Sequence, residues 1–206
     1  MGDESLISQL AHSLGANRLS MDVKIIECKP SDSEIAFLKK KYGEPVIRKM
    51  DRKDVNNIHL PANTDYLNCI GEGVGIILNE NNQFLLVKKA GKESWYFPSG
   101  RIMNGESIES GTIREVHEET GLDIHLKSLS SIQIVDFHFA NCILRLWHFN
   151  FIIKEYSGTM NIQDKSEIGD CRFFSEPPVA NVDYEKYWIR TTLEDASIKI
   201  KTEAPQ

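Results

Sequence analysis

The sequence feature that most constrains the fold is a group of three glutamates spaced for one face of a helix. Glu115, Glu118 and Glu119 stand at positions i, i+3 and i+4 of a stretch with helical periodicity. At about 100° per residue, the second and third lie about 60° and 40° from the first around the helix. Three crowded carboxylates destabilise a helix unless a counter-charge is present. The pattern therefore predicts either a solvated acidic face or a site for a hard cation such as Mg²⁺ or Mn²⁺.

The residues around the acids favour the cation site. Gly100 precedes the predicted helix, and a residue without a side chain can turn its carbonyl toward the same ion. Glu106 lies at the helix start, and Arg114 directly precedes the acids. We expect Arg114 to pair with Glu106 and hold the geometry of the cluster. An ordinary surface ion pair is the alternative.

These residues belong to a longer pattern. The stretch 100–122 matches the Nudix box, Gly-x5-Glu-x7-Arg-Glu-apolar-x-Glu-Glu-x-Gly-apolar, at each defined position. The matching residues are Gly100, Glu106, Arg114, Glu115, Val116, Glu118, Glu119, Gly121 and Leu122. The chain therefore resembles the Nudix hydrolases, which cleave nucleoside diphosphates linked to another moiety. The resemblance covers about residues 67–200, because the predicted elements follow in the family's order.

The resemblance implies a divalent-metal site on the box helix. In a Nudix hydrolase, Glu115, Glu118 and Glu119 would bind Mg²⁺, with the Gly100 carbonyl assisting. Mn²⁺ could substitute for Mg²⁺ at such a site, because both are hard cations that take oxygen ligands.

The resemblance also implies a general base, which the sequence does not single out. Glu115 or Glu119 on the helix could take the proton from the attacking water, with Arg114 in the same catalytic set. Glu167, on a loop beyond the box, is similar in placement to an extra acid that the family often supplies. A plain loop acid is the alternative for Glu167.

Two residues are candidates for substrate binding. Arg101 belongs to the segment Phe-Pro-Ser-Gly-Arg, which is similar to a variant found in some nucleoside-diphosphate and oxidised-nucleotide hydrolases of the family. Trp95 could stack on a base, although aromatic residues on strands are more often part of the core.

The predicted elements indicate an α/β fold with a Nudix-like mixed sheet sandwiched by helices. Strands outnumber helices and do not alternate with them regularly, which argues against a Rossmann layout. We predict helices over 6–14, 31–42, 107–119 and 183–193. We predict strands over 23–28, 73–78, 83–89, 124–139, 142–154 and 171–174, the second and third forming a hairpin.

The polar, aperiodic stretch 51–68 suggests a division of the chain. We predict a small N-terminal α/β extension over 1–66 and a Nudix hydrolase domain over 67–206. The extension could support a homodimer, bind a protein partner or pack as part of the enzyme domain, and its sequence contains no catalytic motif.

Composition limits the classes of partner. The 206 residues include 24 Lys and Arg against 30 Asp and Glu, a formal charge of −6, so the chain lacks the basic excess of a duplex nucleic-acid binder. The sequence has no run of about 18 apolar residues, so no membrane span is predicted. The four cysteines are scattered without a CxxC pair, which suggests a cytoplasmic protein.

Together these features predict a Mg²⁺-dependent pyrophosphohydrolase acting on a nucleotide-type small molecule. Oxidised nucleotides, ADP-ribose, nucleotide sugars and dinucleoside polyphosphates all remain open. ADP-ribose hydrolases often carry a proline about 15 residues past the box, and none lies between 121 and 176. The alternative is a catalytically inactive module that senses or binds nucleotides, but its box is usually broken, whereas this one is intact.

Overall fold

The computed structural model describes residues 23–181 and 183–203, so the helix predicted over 6–14 lies outside the described residues. The strands are β1 (Ile25–Cys28), β2 (Val46–Arg52), β3 (Cys69–Ile77), β4 (Phe84–Lys89), β5 (Trp95–Tyr96), β6 (Ser99–Met103), β7 (Asp123–His138), β8 (Ile143–Ser157) and β9 (Ile168–Phe174). The helices are α1 (Asp32–Tyr42), α2 (Ile108–Thr120) and α3 (Asp183–Glu203), with a 3₁₀ helix at Asp65–Asn68.

The strands form two sheets. The larger, mixed sheet has the order β2-β7-β8-β3-β6, with β1 also paired to β8. The smaller sheet has the order β5-β4-β9. Helices α1 and α2 pack on one face of the large sheet and α3 on the other, while the small sheet contributes residues to both core clusters. The predicted fold class, a mixed sheet between helices, is confirmed.

Alternating side chains of the central strands feed both layers of the core. On β8, Phe149 and Phe151 point toward α1 and α2. Ile152, which follows Phe151, points toward α3. Strands buried on both faces carry nearly continuous apolar runs. Such runs explain why the sequence pattern predicts these strands.

The N-terminal elements share the core of the rest of the chain. Strand β1 pairs in parallel with β8, and β2 pairs in parallel with β7 over its whole length. Leu38 and Tyr42 of α1 are buried in the same cluster as Ile108 and Val116 of α2. The boundary at residue 66 stays a prediction, but strands on both sides of it pair in one sheet.

The predicted hairpin of β3 and β4 is wrong. Both edges of β3 are occupied, by β6 on one side and β8 on the other. Strand β4 therefore has no free edge of β3 to pair with, and it joins β5 and β9 in the small sheet. A single bridge between Leu78 and Phe84 remains where the chain passes from one sheet to the other.

The last helix is longer than predicted. Helix α3 continues to Glu203 instead of ending near Leu193, and its second half is buried at Asp195, Ala196 and Lys199. Two of these three residues are charged, so hydropathy did not reveal the buried face. Among the described helices, none combines the length and the apolar character that crossing a bilayer requires.

Candidate active site

Helix α2 carries the predicted acids and has well-defined ends. Ser107 caps the N-terminus, where its hydroxyl accepts a hydrogen bond from the Ser110 N–H at 3.0 Å. Gly121 ends the helix in the left-handed conformation at φ 74°, which glycine adopts at low cost. Between these caps, Val116 faces the core and the acids lie along the edge of the sheet.

Gly100 leaves room for the first acid. A Cβ atom at Gly100 would lie only 1.9 Å from Glu115 Oε2, so any side chain on β6 here would displace the carboxylate. Burial raises the pKa of Glu115 above its ordinary value, while the Arg114 guanidinium opposes that shift. The structure thus brings together the Gly100 backbone and the Glu115 carboxylate, as the sequence predicted.

Arg114 connects the acids to the start of the helix. Its Nε and Nη2 donate to the two carboxylate oxygens of Glu106 at 2.7 and 2.9 Å. Its Nη1 donates to Glu115 at 2.8 Å and to Glu118 at 3.0 Å. The pKa of Glu106 is lowered, chiefly by its hydrogen bonds from Arg114. The geometry is that of a bidentate pair that fixes the orientation of the guanidinium.

Glu119 is the most deeply buried of the three acids. It is 5% exposed, and its Oε2 accepts a hydrogen bond from the Ser99 N–H at 2.8 Å. Burial raises the pKa of Glu119 to about 8, although the Ser99 N–H and Lys89 act in the opposite direction. A carboxyl group held protonated by burial is characteristic of functional sites, and a bound cation would favour its ionised form.

Glu167 lies at the same end of the cleft as Glu115 and Glu119. Its carboxylate is 3.5 Å from Lys89 Nζ, and its backbone carbonyl accepts from the Ala90 N–H at 2.7 Å. The negative charge of Glu167 contributes to the raised pKa values of Glu115 and Glu119. The loop acid is therefore electrostatically coupled to the helix acids.

The donor set fits a hard divalent cation, although the side chains are held apart. Within the described residues, no three side chains of His, Cys, Asp or Glu lie close enough to hold one ion. Arg114 engages Glu115 and Glu118, while Glu119 turns toward the Ser99 amide. These carboxylates offer the oxygen ligands that Mg²⁺ and Mn²⁺ prefer, and buried Glu119 has an unfavourable charge that a cation would offset.

The acids open into a cleft of about 800 Å³. Its lining includes Arg52, Tyr66, Glu72, Lys89, Tyr96, Phe97, Gly100, Arg101, Glu115, Glu118, Glu119, Val135, Phe137, His148, Glu167, Tyr184 and Trp188. Arg101 is thus where a substrate-binding residue is expected. Its Nη1 lies 3.4 Å from Asp65, and its guanidinium lies over the Tyr66 ring at 5.3 Å.

Substrate binding by Trp95 stays a prediction, and in this structure its side chain lies in the core. Trp95 is 7% exposed and is not among the residues that line the cleft. Its ring packs edge-on against Phe174 at 4.7 Å, in the core between the two sheets. The neighbours of β5 are apolar, and this explains the position of Trp95. Burying a large aromatic ring stabilises the fold more than leaving the ring exposed to water.

The sequence did not identify the far end of the cleft. Glu72, His148, Arg52 and Tyr184 come from four separate segments, and none belongs to the box. A signal was present at two of them, because Glu72 and His148 interrupt apolar strands. Charged or polar residues on buried strands usually have a partner or a function.

With the cleft located, comparison with known proteins identifies the family. The family model of the NUDIX domain matches residues 71–193, more than half of the chain. The chain therefore belongs to the Nudix family. Arg52 and Tyr66, which line the cleft, precede the matched region.

Individual relatives match over shorter segments. The chain is 39% identical over 69 residues to Nudix hydrolase 2 of Arabidopsis thaliana, covering 31% of this chain and 24% of the relative. It is 47% identical over 53 residues to the RNA pyrophosphohydrolase of Marinomonas sp. (strain MWYL1), covering 25% of this chain and 33% of that protein. The chain spans about a quarter to a third of the length of the curated relatives it matches.

A solved structure is similar over a larger share. The chain superimposes on the MutT NUDIX hydrolase from Burkholderia pseudomallei with a TM-score of 0.49 at 20% identity. That match covers 60% of this chain and 95% of the other.

Proposed function

We propose that the protein is a Mg²⁺-dependent pyrophosphohydrolase that cleaves a nucleoside diphosphate linked to another moiety. The observation that carries the proposal is the buried Glu119 carboxyl, with its raised pKa, beside Glu115 and Gly100 in the cleft. Similarity to a protein named RNA pyrophosphohydrolase supports the same type of bond as the target.

The acids of α2 would hold the ion, and their present contacts indicate what must change. Glu115, Glu118 and Glu119 would supply carboxylate oxygens, with the Gly100 carbonyl beside them. When bound, Mg²⁺ or Mn²⁺ neutralises the charge of the pyrophosphate and lowers the pKa of bound water. Glu115 and Glu118 would turn from Arg114, whose bidentate pair with Glu106 keeps the guanidinium in place.

Three residues are candidates for proton transfer from the attacking water. Glu119 is one candidate, because its carboxyl group is buried in the cleft beside Glu115. Glu167, whose side chain is half-exposed, could act from its loop, and Glu115 from the helix. Lys89 lies between these acids and is available to orient a phosphate oxygen.

The cleft suits a nucleotide-type substrate. The cysteines of the chain suit a cytoplasmic location. The chain is acidic overall and lacks the basic excess that binding of duplex nucleic acid requires. The structure describes all four cysteines, and all are free, in keeping with a reducing compartment.

A substrate panel tests the proposal. Purified protein is incubated with oxidised and ordinary nucleoside triphosphates, ADP-ribose, nucleotide sugars and dinucleoside polyphosphates, and the release of phosphate or nucleotide products is measured with Mg²⁺, Mn²⁺ or EDTA. We expect turnover of at least one class with either metal and none in EDTA. Glu119→Gln should lower kcat by orders of magnitude.

The matched control is Glu109→Gln, on the same helix but outside the cleft, where Glu109 pairs with Lys41 at 2.7 Å. This variant should keep wild-type kcat. If the protein binds nucleotides but turns over none of the substrates, the proposal that it is an enzyme would be overturned. The result would support the alternative, a catalytically inactive module that binds nucleotides.

A further inference from the structure

A row of polar side chains crosses the large sheet on the face that α3 covers. The strand register aligns Arg48 of β2 with Gln133, Gln133 with His148, His148 with Glu72, and Glu72 with Arg101. Aligned residues on neighbouring strands point to the same face. The row therefore runs from the β2 edge of the sheet to the β6 edge, beside the acids of α2.

Helix α3 satisfies the first part of this row. Arg48 donates to both oxygens of Asp195, with the shortest contact at 2.6 Å. The Gln133 amide donates to Thr192 at 3.1 Å and accepts from the Trp188 indole at 2.7 Å. These hydrogen bonds account for the polar side chains beneath the helix.

The next residues of the row lie in the cleft with incomplete pairing. The His148 side chain is 9% exposed, and neither ring nitrogen has a hydrogen-bond partner within the described part of the chain. Its nearest charged neighbour is Glu72, with 3.7 Å between Nδ1 and Oε1, which exceeds hydrogen-bond length. Buried polar atoms without partners are costly unless a bound molecule supplies the missing contact.

Aromatic rings line the same cleft as this pair. We call the part of the cleft lined by Glu72, His148 and the rings of Tyr96, Phe97, Phe137, Tyr184 and Trp188 the chamber. The Trp188 ring meets His148 edge-on at 6.3 Å, and the Arg52 guanidinium lies 4.1 Å from the centre of the Tyr184 ring. Flat apolar walls around a polar floor suit a planar heterocycle.

The strand register sets the distance from the chamber to the acids. His148 lies two strands from Arg101, and adjacent strands are about 4.8 Å apart, so the separation is about 10 Å. A ribose and a phosphate can span such a gap. Gly100, beside the acids, is the neighbour of Arg101 in sequence.

We propose that Glu72 and His148 are specificity-determining residues that bind the hydrogen-bonding edge of a nucleobase and favour bases with an amino group. This inference rests on the proposed function and names the part of the substrate that the chamber holds. A carboxylate at Glu72 accepts only, and a neutral imidazole at His148 offers one donor and one acceptor. Burial lowers the pKa of His148, which keeps the ring neutral near pH 7.

The donor pattern distinguishes similar bases. Cytosine presents an amino donor next to a ring-nitrogen acceptor, which complements Glu72 beside a His148 N–H. In the pose that places the cytosine amino group on Glu72, uracil would place a carbonyl oxygen against the carboxylate instead. Guanine differs from hypoxanthine by one amino group next to the ring N–H, which gives the Glu72 carboxylate a second donor.

Binding of reaction products tests the inference without requiring catalysis. Dissociation constants of CMP, UMP, GMP, IMP and ribose 5-phosphate are measured by calorimetry in EDTA. We expect CMP to bind about ten-fold more tightly than UMP, and GMP than IMP, because one paired donor is worth about that factor. Ribose 5-phosphate, which lacks a base, should bind more weakly than any of the four nucleotides.

Variants distinguish a role of Glu72 and His148 in base recognition from a purely structural role. Glu72→Gln, whose amide can donate to a carbonyl, should bring the CMP to UMP ratio close to one. Glu93→Gln is the matched control, since Glu93 also lines the cleft but is 85% exposed at its side chain. It should keep the wild-type ratio.

His148→Leu adds a readout that a structural histidine would not show. It removes two unpartnered nitrogens, so the melting temperature should stay level or rise while nucleotide affinity falls. Equal binding of CMP and UMP by the wild type, or an unchanged ratio in Glu72→Gln, would overturn the inference. Loss of hydrolysis with base selectivity retained would count against the proposed function alone.

Discussion

At the scale of single residues, the cleft balances buried acids against one arginine. Arg114 stays charged, and its pKa is raised mainly by the hydrogen bonds to Glu106. Glu119 has no such cationic hydrogen-bond partner in the described contacts and instead accepts from a backbone amide. The structure therefore keeps one acid of the cluster in a poorly solvated position, where its charge is unfavourable without an added cation.

We predict that Glu119→Gln changes how stability depends on pH. The pKa of Glu119 in the fold, about 8, lies above its value in the unfolded chain, about 4.3. Between these values the folded state binds more protons than the unfolded state, so the free energy of unfolding falls as pH rises through this window. Metal-free Glu119→Gln should therefore be more stable than wild type at pH 8.5.

Urea unfolding in EDTA at several pH values measures the effect. The difference between variant and wild type should be small near pH 3, where Glu119 is protonated in both the folded and the unfolded wild type. Glu109→Gln should follow the wild type throughout. An identical pH dependence for Glu119→Gln and wild type would show that Glu119 is solvated in the fold.

At the scale of elements, the close approach of α2 to the sheet sets the position of the acids. A Cβ atom at Gly73 of β3 would lie 2.1 Å from Thr112 Oγ1 and 2.8 Å from Thr112 Cβ. Thr112 is fully buried and donates its hydroxyl to the Ile108 carbonyl, so it has little freedom to move aside. A side chain on β3 would therefore push the helix away.

We predict that Gly73→Ala destabilises the fold by about 2 kcal/mol, in the range of overpacked cores. Because the displaced helix carries Glu115 and Glu119, activity should fall as well. Urea unfolding measures the first effect and the substrate assay the second. In the control, Gly169→Ala, the new Cβ would meet Ala90 Cα at 3.4 Å, an ordinary contact. Wild-type stability of Gly73→Ala would show that the helix can shift without cost.

At the scale of the whole molecule, the region before residue 66 contributes to the core and to the cleft. Strand β2 covers the edge of β7, and its last residue, Arg52, lines the cleft beside Phe137 and Tyr184. The family model begins at residue 71, so these contributions lie outside the shared domain. A family domain and a folding unit therefore need not have the same boundary.

We predict that a chain beginning at Asp65 does not fold cooperatively. Its loss of β1, α1 and β2 exposes apolar surface on β7 and β8 and leaves two open strand edges. Thermal unfolding and binding of a hydrophobic dye measure the outcome. A chain beginning at Val23 keeps every described element and is the control. A cooperative transition in the shorter chain would support an independent domain after residue 66.

The acidic half of the cleft could be predicted from the sequence because its determinants are local. Glu115, Glu118 and Glu119 share a face through the helical repeat alone, and Ser107 and Gly121 mark the helix ends within the same short stretch. Gly100 and Arg114 lie within 19 residues of these acids. Spacing along the chain was therefore sufficient to identify the family and the acids.

The other half was decided by the tertiary structure. Glu72 and His148 meet because β3 and β8 pair in parallel, and Arg52 reaches Tyr184 because β2 pairs with β7 while α3 packs across the same face. Parallel pairing joins distant segments, and its register depends on which edges the other strands leave free. Trp95 shows the converse, since its ring contact with Phe174 of β9 places a candidate for base stacking in the core. The sequence by itself determined the family and the acids on one face of a helix, whereas only the assembled sheet decided which side chains line the rest of the cleft, because that choice depends on long-range strand pairing that no local spacing encodes.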